Sequence, residues 1–198
     1  MEKMKENLKV QFPEAGKDVL DELREDDAVN QKFGIHFMLA SIPIWIGICI
    51  VHTMSISVIN QNLCVFCFSA LLVPLAYMIA KLLHIKFSYD ENPLSKLGLL
   101  FTCNQMLYIL IAMWAYGQAS ESFLMIYAMI FGGHLMPFSW LYKCKSYMVS
   151  SIAVSIGCLV FGCLFGAMAV AVFMLFHQIL FSVILWRQYE KVKWINAV

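Results

Sequence analysis

Charge is what this sequence has least of. Only 14% of its 198 residues are charged, against about 25% in a typical soluble domain, and 15 of the 27 charged side chains lie in the first 32 residues. The 12 left over are too few to coat the rest of the chain with a water-facing surface. This scarcity excludes a soluble α/β enzyme and a disordered tail, and with 61% hydrophobic residues the composition is not that of a secreted disulfide domain. A formal net charge of +1 gives no basic footprint for nucleic acid. Also missing are a phosphate-cradling glycine loop, paired carboxylates in an apolar run and a serine nucleophile motif, so no catalytic residue is assigned and no cofactor is required.

What the chain does have is long apolar runs. A helix needs about 20 apolar residues to cross the roughly 30 Å hydrocarbon core. Runs of that kind predict spans at about 35–53, 62–83, 97–116 and 122–142. The stretch from Tyr147 to Trp186 holds 40 residues without a charge, twice the length of one crossing, with Gly162 and Gly166 near its middle. It predicts a tight hairpin of two spans, 147–163 and 167–186. The fold class expected is therefore all-α, a polytopic bundle of six transmembrane helices behind an N-terminal segment, 1–34, and ahead of a tail, 188–198.

Orientation follows from the cations, which mark cytoplasmic loops. Lys3, Lys5, Lys9, Lys17, Arg24 and Lys32 precede the first span; Lys81, Lys86 and Lys96 cluster between the second and third; Lys143 and Lys145 follow the fourth; Arg187, Lys191 and Lys193 follow the sixth. With six spans and both termini cytoplasmic, all 14 fall on one side. The first apolar run starts only at Ile35 and reaches spanning length, so it reads as an uncleaved span. The outer connections, 55–61, 117–121 and 162–166, are too short for an external domain.

In the N-terminal segment, Pro13 and Glu14 can open a short helix with Ala15, Val19 and Leu23 at spacing four among Asp18, Asp21, Glu22 and Glu25. It is either a surface helix packed on the bundle or a docking site for a protein partner. The polar connection 88–94 ends in Asn92-Pro93, an N-cap with a proline in the first helical turn. Its acids, Asp90 and Glu91, read as solvated.

Polar groups inside a bilayer are costly, so each in a span is either an interhelical hydrogen bonder or part of a site. Asn104 and His134 lie about 10 to 12 Å from the cytoplasmic ends of their spans, Ser41 and Tyr77 at similar depth, and His177 and Gln178 about one turn deeper. Together with Gln105 they suggest a polar layer in the cytoplasmic half. Pro43, Pro74 and Pro137 fall near it and free backbone carbonyls. The run Gly132-Gly133-His134-Leu135-Met136-Pro137 is the most unusual, since the glycines permit close approach or a break and Pro137 cannot bond to Gly133. The binding residues proposed from sequence are Asn104, Gln105, His134 and His177.

No Asp or Glu lies inside a span and the His and Cys residues are scattered, so no metal site is expected. Glu121, the one acid on the outer side, reads as a helix-start residue beside Ser120. Among seven cysteines, Cys64 and Cys67 form a Cys-X-X-Cys at the expected outer start of the second span, where a first-turn position lowers a thiol pKa. That arrangement suits a membrane thiol oxidoreductase, but no outer loop supplies a second pair. Gly162 and Gly166, followed by Ala167, Ala169 and Ala171, permit close contact within the last hairpin or between subunits of a homo-oligomer.

The runs Pro74–Leu83 and Asn92–Gly98 with Asn104-Gln105 resemble a domain-of-unknown-function family of small six-helix bacterial integral membrane proteins. The resemblance covers the second to fourth spans best. It implies a bacterial multi-pass protein of the cytoplasmic membrane and brings no activity, substrate or catalytic residue. Three roles remain open from the residues: a small transporter or ligand-binding membrane protein, a non-catalytic partner or assembly factor, and a thiol oxidoreductase.

Overall fold

The computed structural model describes residues 14–85 and 92–195. Lys3, Lys5, Lys9, Pro13, Lys86, Asp90 and Glu91 lie outside the described residues. The chain is helical: α1 (Glu14–Asn30), α2 (Ile35–Thr53), α3 (Val58–Ala70), α4 (Leu72–Leu82), α5 (Pro93–Gln118), α6 (Phe123–His134), α7 (Met136–Leu141), α8 (Lys145–Phe165) and α9 (Ala167–Ile195). Among them, six helical segments are long and apolar enough to cross a membrane, two of them interrupted: α3 with α4, and α6 with α7.

Both interruptions have a proline as their cause. Pro74 offers no N–H to the carbonyl of Ala70, and the chain turns at Leu71, whose N–H bonds to Phe68 instead. Pro137 likewise offers no N–H to the carbonyl of Gly133; the helix breaks at Leu135, whose N–H turns to the Gly132 carbonyl at 3.1 Å and also toward that of Gly133. The expected start of the second span shifts outward. Ser57 caps α3, its Oγ accepting from Asn60 N at 3.4 Å, so the helix begins at Val58. At α5 the expected cap is present: Asn92 Oδ1 accepts from Leu94 N at 2.9 Å, with Pro93 in the first turn. The final hairpin turns on one residue, Gly166, at φ 79°, and α9 runs on past Trp186 to Ile195 where a separate tail was expected.

Between α1 and α2 three successive residues, Lys32, Phe33 and Gly34, take positive φ of 46°, 55° and 67°. Left-handed backbone costs a residue with a side chain roughly 1–2 kcal/mol, so packing must hold Lys32 and Phe33 there. Tyr147 Oη donates to the Phe33 carbonyl at 2.6 Å, and Lys32 Nζ donates to the Leu83 carbonyl at 2.7 Å.

The centre of the bundle is formed by α2, α9, α8 and α6, with α3 and α4 against α2 and α5 against α6. Glycines set the closest approaches. A Cβ on Gly132 would come within 2.8 Å of Val154 Cγ1 and Ser155 Oγ, so α6 lies directly on α8. Gly157 admits Phe173 of α9. Gly162, expected to serve the hairpin, instead faces Met125 of α6. The exterior is apolar: Leu110, Trp114, Leu164, Phe165 and Phe176 are all more than 60% exposed. Such a surface suits lipid and not water. The third candidate span, α5, is the most peripheral, with 6% of its apolar window buried against 56% for the first.

One end of the bundle gathers the charge. Lys143 Nζ reaches Glu25 at 2.6 Å and Asp21 at 3.3 Å, and Lys32 Nζ sits 5.1 Å over the Tyr189 ring. These contacts bring the starts of α2 and α8 and the ends of α4, α7 and α9 to one side.

Candidate functional site

In the half of the bundle nearer that charged end lies a cavity of about 410 Å³, within the range of small-molecule sites. Its floor is α2, through Phe37 and Met38; one wall is the α3–α4 break, through Ser69, Ala70 and Val73; the opposite wall is α5, through Thr102, Gln105 and Tyr108. The kinked α6–α7 segment closes the back with Tyr127, His134 and Phe138. The lining is chiefly apolar and aromatic, and among the described residues no Asp, Glu, Lys or Arg contributes to it.

Its polar groups fall into two kinds. Ser69 and Tyr127 are paired across α3 and α6, with their hydroxyls 2.5 Å apart, and Ser69 Oγ also lies 2.6 Å from the Val65 carbonyl. With Ser69 donating to that carbonyl, Tyr127 donates to Ser69. Thr102 is satisfied by the Gly98 carbonyl of its own helix at 3.1 Å. Gln105 and His134, by contrast, line the cavity and have no hydrogen-bond partner among the described protein groups. His134 is positioned by the α6–α7 break and by an edge-to-face contact with Phe138, ring centroids 5.2 Å apart. An unpaired amide and imidazole turned into an apolar cavity can anchor a ligand.

Of the four binding residues proposed from sequence, two reach this cavity. Asn104, one residue from Gln105 on α5, faces outward, its Nδ2 donating to Tyr108 Oη at 3.0 Å on the exposed side. His177 lies buried between α9 and α8, with Nε2 2.9 Å from Ser150 Oγ. Beside it, Gln178 is fully buried with neither amide atom bonded to a protein group, and Ser182 Oγ is likewise unpaired. Ser41 bonds to the Met38 carbonyl in its own helix, and Tyr77 is exposed on α4. A single polar layer does not form, because helical phase sends neighbouring residues to different faces. The Ser69–Tyr127 pair went unread in the sequence, since nothing local joins residues 58 apart.

Cys64 and Cys67 sit in the second and third turns of α3 because that helix begins at Val58. They are beyond the free N–H groups of the first turn, on which the activated-thiol reading relied. All seven cysteines are free thiols. Among the described residues no group of three or more His, Cys, Asp or Glu is placed to hold a metal ion.

At the charged end, α1 lies folded across α5 and α7. Arg24 Nε donates to the Trp140 carbonyl at 2.9 Å with its guanidinium 4.5 Å over the indole. Asn92 Nδ2 donates to the Leu23 carbonyl at 2.7 Å and to Asp26 at 2.9 Å. Asp27 is buried and accepts from Ser95 Oγ at 2.6 Å. Burial holds the Asp27 carboxyl above its ordinary pKa, and the Ser95 hydrogen bond only partly opposes this. Lys143 moves upward, chiefly through its hydrogen bond to Glu25. Much of the acidic face of α1 is thus engaged by the chain's own residues.

Six apolar helices, an apolar exterior and one charged end define a helical bundle of membrane-protein type around an uncharged cavity. Residues 20–188 match the family of unknown function DUF7010, and the chain belongs to that family. No curated protein and no solved structure is significantly similar to it.

Proposed function

We propose that this chain is a multi-pass protein of a bacterial cell membrane, crossing it six times with both termini cytoplasmic, and that it binds or moves a small molecule through the cavity beside α5. The observation that carries the reading is the pair Gln105 and His134, two polar side chains that line one cavity and have no hydrogen-bond partner among the described residues. In an apolar site each of these half-buried groups gains from a hydrogen bond, which a bound molecule supplies. The positive-inside distribution of Lys and Arg supports the orientation. Asn104 and His177, lying off the cavity, act in packing in this reading, and Cys64 and Cys67 act as small apolar residues within α3.

The test is mass spectrometry of small molecules retained by the protein purified from its membrane. A species enriched in the wild type and lost from both His134→Ala and the cavity-filling Ala112→Phe, in proteins with unchanged helical content, supports a binding site. Retention unaffected by either change sinks it.

A further inference from the structure

The chemistry of the cavity narrows what it holds. This step rests on the reading of the cavity as a ligand site and names the ligand class. With no Asp, Glu, Lys or Arg among the described residues of the lining, an ionic ligand would enter a low-dielectric space without a counter-charge from them, at a high desolvation cost. The ligand is therefore neutral. The walls are rings: Phe66, Phe131 and Phe138 with Tyr108, Tyr127 and Tyr142 all border the space, which favours a flat ring over a saturated chain at its inner end. The side-chain amide of Gln105 supplies N–H donors and the His134 ring can supply one more, suited to carbonyl oxygens on that ring.

The way in is sideways. Among the described residues the backbones of α3 and α4 stand off from α5, and Phe66 of α3 meets Tyr116 of α5, ring centroids 5.9 Å apart, toward the end away from α1; α5 is held chiefly by α6, α7 and α1. Three residues that line the cavity from either side of this gap, Ala70, Val73 and Tyr108, are also exposed on the apolar exterior. The charged end is covered by α1, whose Arg24, Asp27 and Glu25 are tied to Trp140, Ser95 and Lys143. A molecule already dissolved in the bilayer reaches the cavity without crossing water. We infer that the cavity takes the ring of a neutral, carbonyl-bearing lipid of the quinone kind, entering between the α3–α4 segment and α5 with its apolar tail left in the membrane.

Full-length protein in nanodiscs, titrated with decylubiquinone and followed by quenching of its tryptophan fluorescence, tests this. Trp45 stands with its ring centroid 6.4 Å from that of Tyr127 on the cavity wall and serves as the reporter once the other four tryptophans are replaced by Phe. Expected are saturable quenching, about tenfold weaker binding in both Gln105→Ala and His134→Ala, as the loss of one hydrogen bond implies, and slower association in Ala70→Phe at the rim. Monoolein, a neutral lipid without a ring, should fail to compete. If monoolein competes as well as the quinone and the two anchor variants weaken both, the ring-lipid assignment is overturned while the ligand site stands. If neither lipid binds saturably to wild-type protein with a cooperative thermal transition, or if quenching ignores both anchors, the quinone inference falls; the retained-molecule experiment then judges the cavity separately.

Discussion

Tyr147, near the start of α8, donates its buried hydroxyl to the carbonyl of Phe33 at 2.6 Å and so holds the left-handed turn that joins α1 to α2. The same ring packs edge-on against Phe181 of α9, with centroids 4.9 Å apart. One side chain thereby ties α8 both to α9 and to the turn between α1 and α2. Tyr147→Phe keeps the ring and leaves the carbonyl unsatisfied. The expected loss is about 1–3 kcal/mol, read as a lower thermal midpoint in detergent with unchanged helical content.

Gly132 and Gly133 are neighbours in sequence with opposite surroundings. A Cβ at 132 meets Val154 and Ser155, including the Ser155 backbone nitrogen at 3.0 Å, whereas nothing lies within 4 Å of one at 133. Gly132→Ala should destabilise by roughly 1–3 kcal/mol through forced separation of α6 and α8. Gly133→Ala should be neutral or stabilise by up to about 1 kcal/mol through helix propensity. Thermal midpoints of the two variants that moved together would contradict the packing described.

Gln178 is fully buried on α9 with both amide atoms lacking a protein partner. Gln178→Met retains the shape and removes the desolvated amide. Stabilisation of about 1–3 kcal/mol is expected. Destabilisation of that size would mean that the amide has a partner of its own in the membrane.

Asp27 gives the charged end a pH dependence. Its folded pKa is raised by burial, so its proton favours the docked state. The contribution is fully present below the ordinary carboxyl pKa of about 3.9 and is lost as pH rises through the raised value. Hydrogen exchange in α1 should therefore quicken, after correction for the intrinsic rate, as pH rises across that window. Asp27→Asn, which can still accept from Ser95, should flatten the profile. Lys143 titrates far above this window and does not confound the test.

The helices were legible because hydrophobic run length and turn residues act locally. The Asn92–Pro93 start, the hairpin turn at Gly166 and the separate α1 all follow from residues close to one another in sequence. Two boundaries were displaced for equally local reasons, Ser57 capping α3 earlier than the apolar run suggests and α9 continuing as an exposed polar helix beyond Trp186. The site was only half legible. Depth along a span can be counted, and Gln105 and His134 were found that way; the face a residue presents depends on how neighbouring helices rotate. That rotation sends Asn104 outward and His177 to Ser150. The Ser69–Tyr127 pair and the gap beside α5 exist only once the helices are assembled.

As proposed, the bundle crosses the membrane with its charged end in the cytoplasm, and entry beside α5 has meaning only in lipid. In a background without native cysteines, Gln118→Cys at the end opposite α1 and Lys143→Cys at the charged end are each exposed to a membrane-impermeant maleimide in intact bacterial cells. Gln118→Cys is expected to be labelled in intact cells and Lys143→Cys only after lysis. Labelling of Lys143→Cys in intact cells, or of both positions alike before lysis, would contradict it.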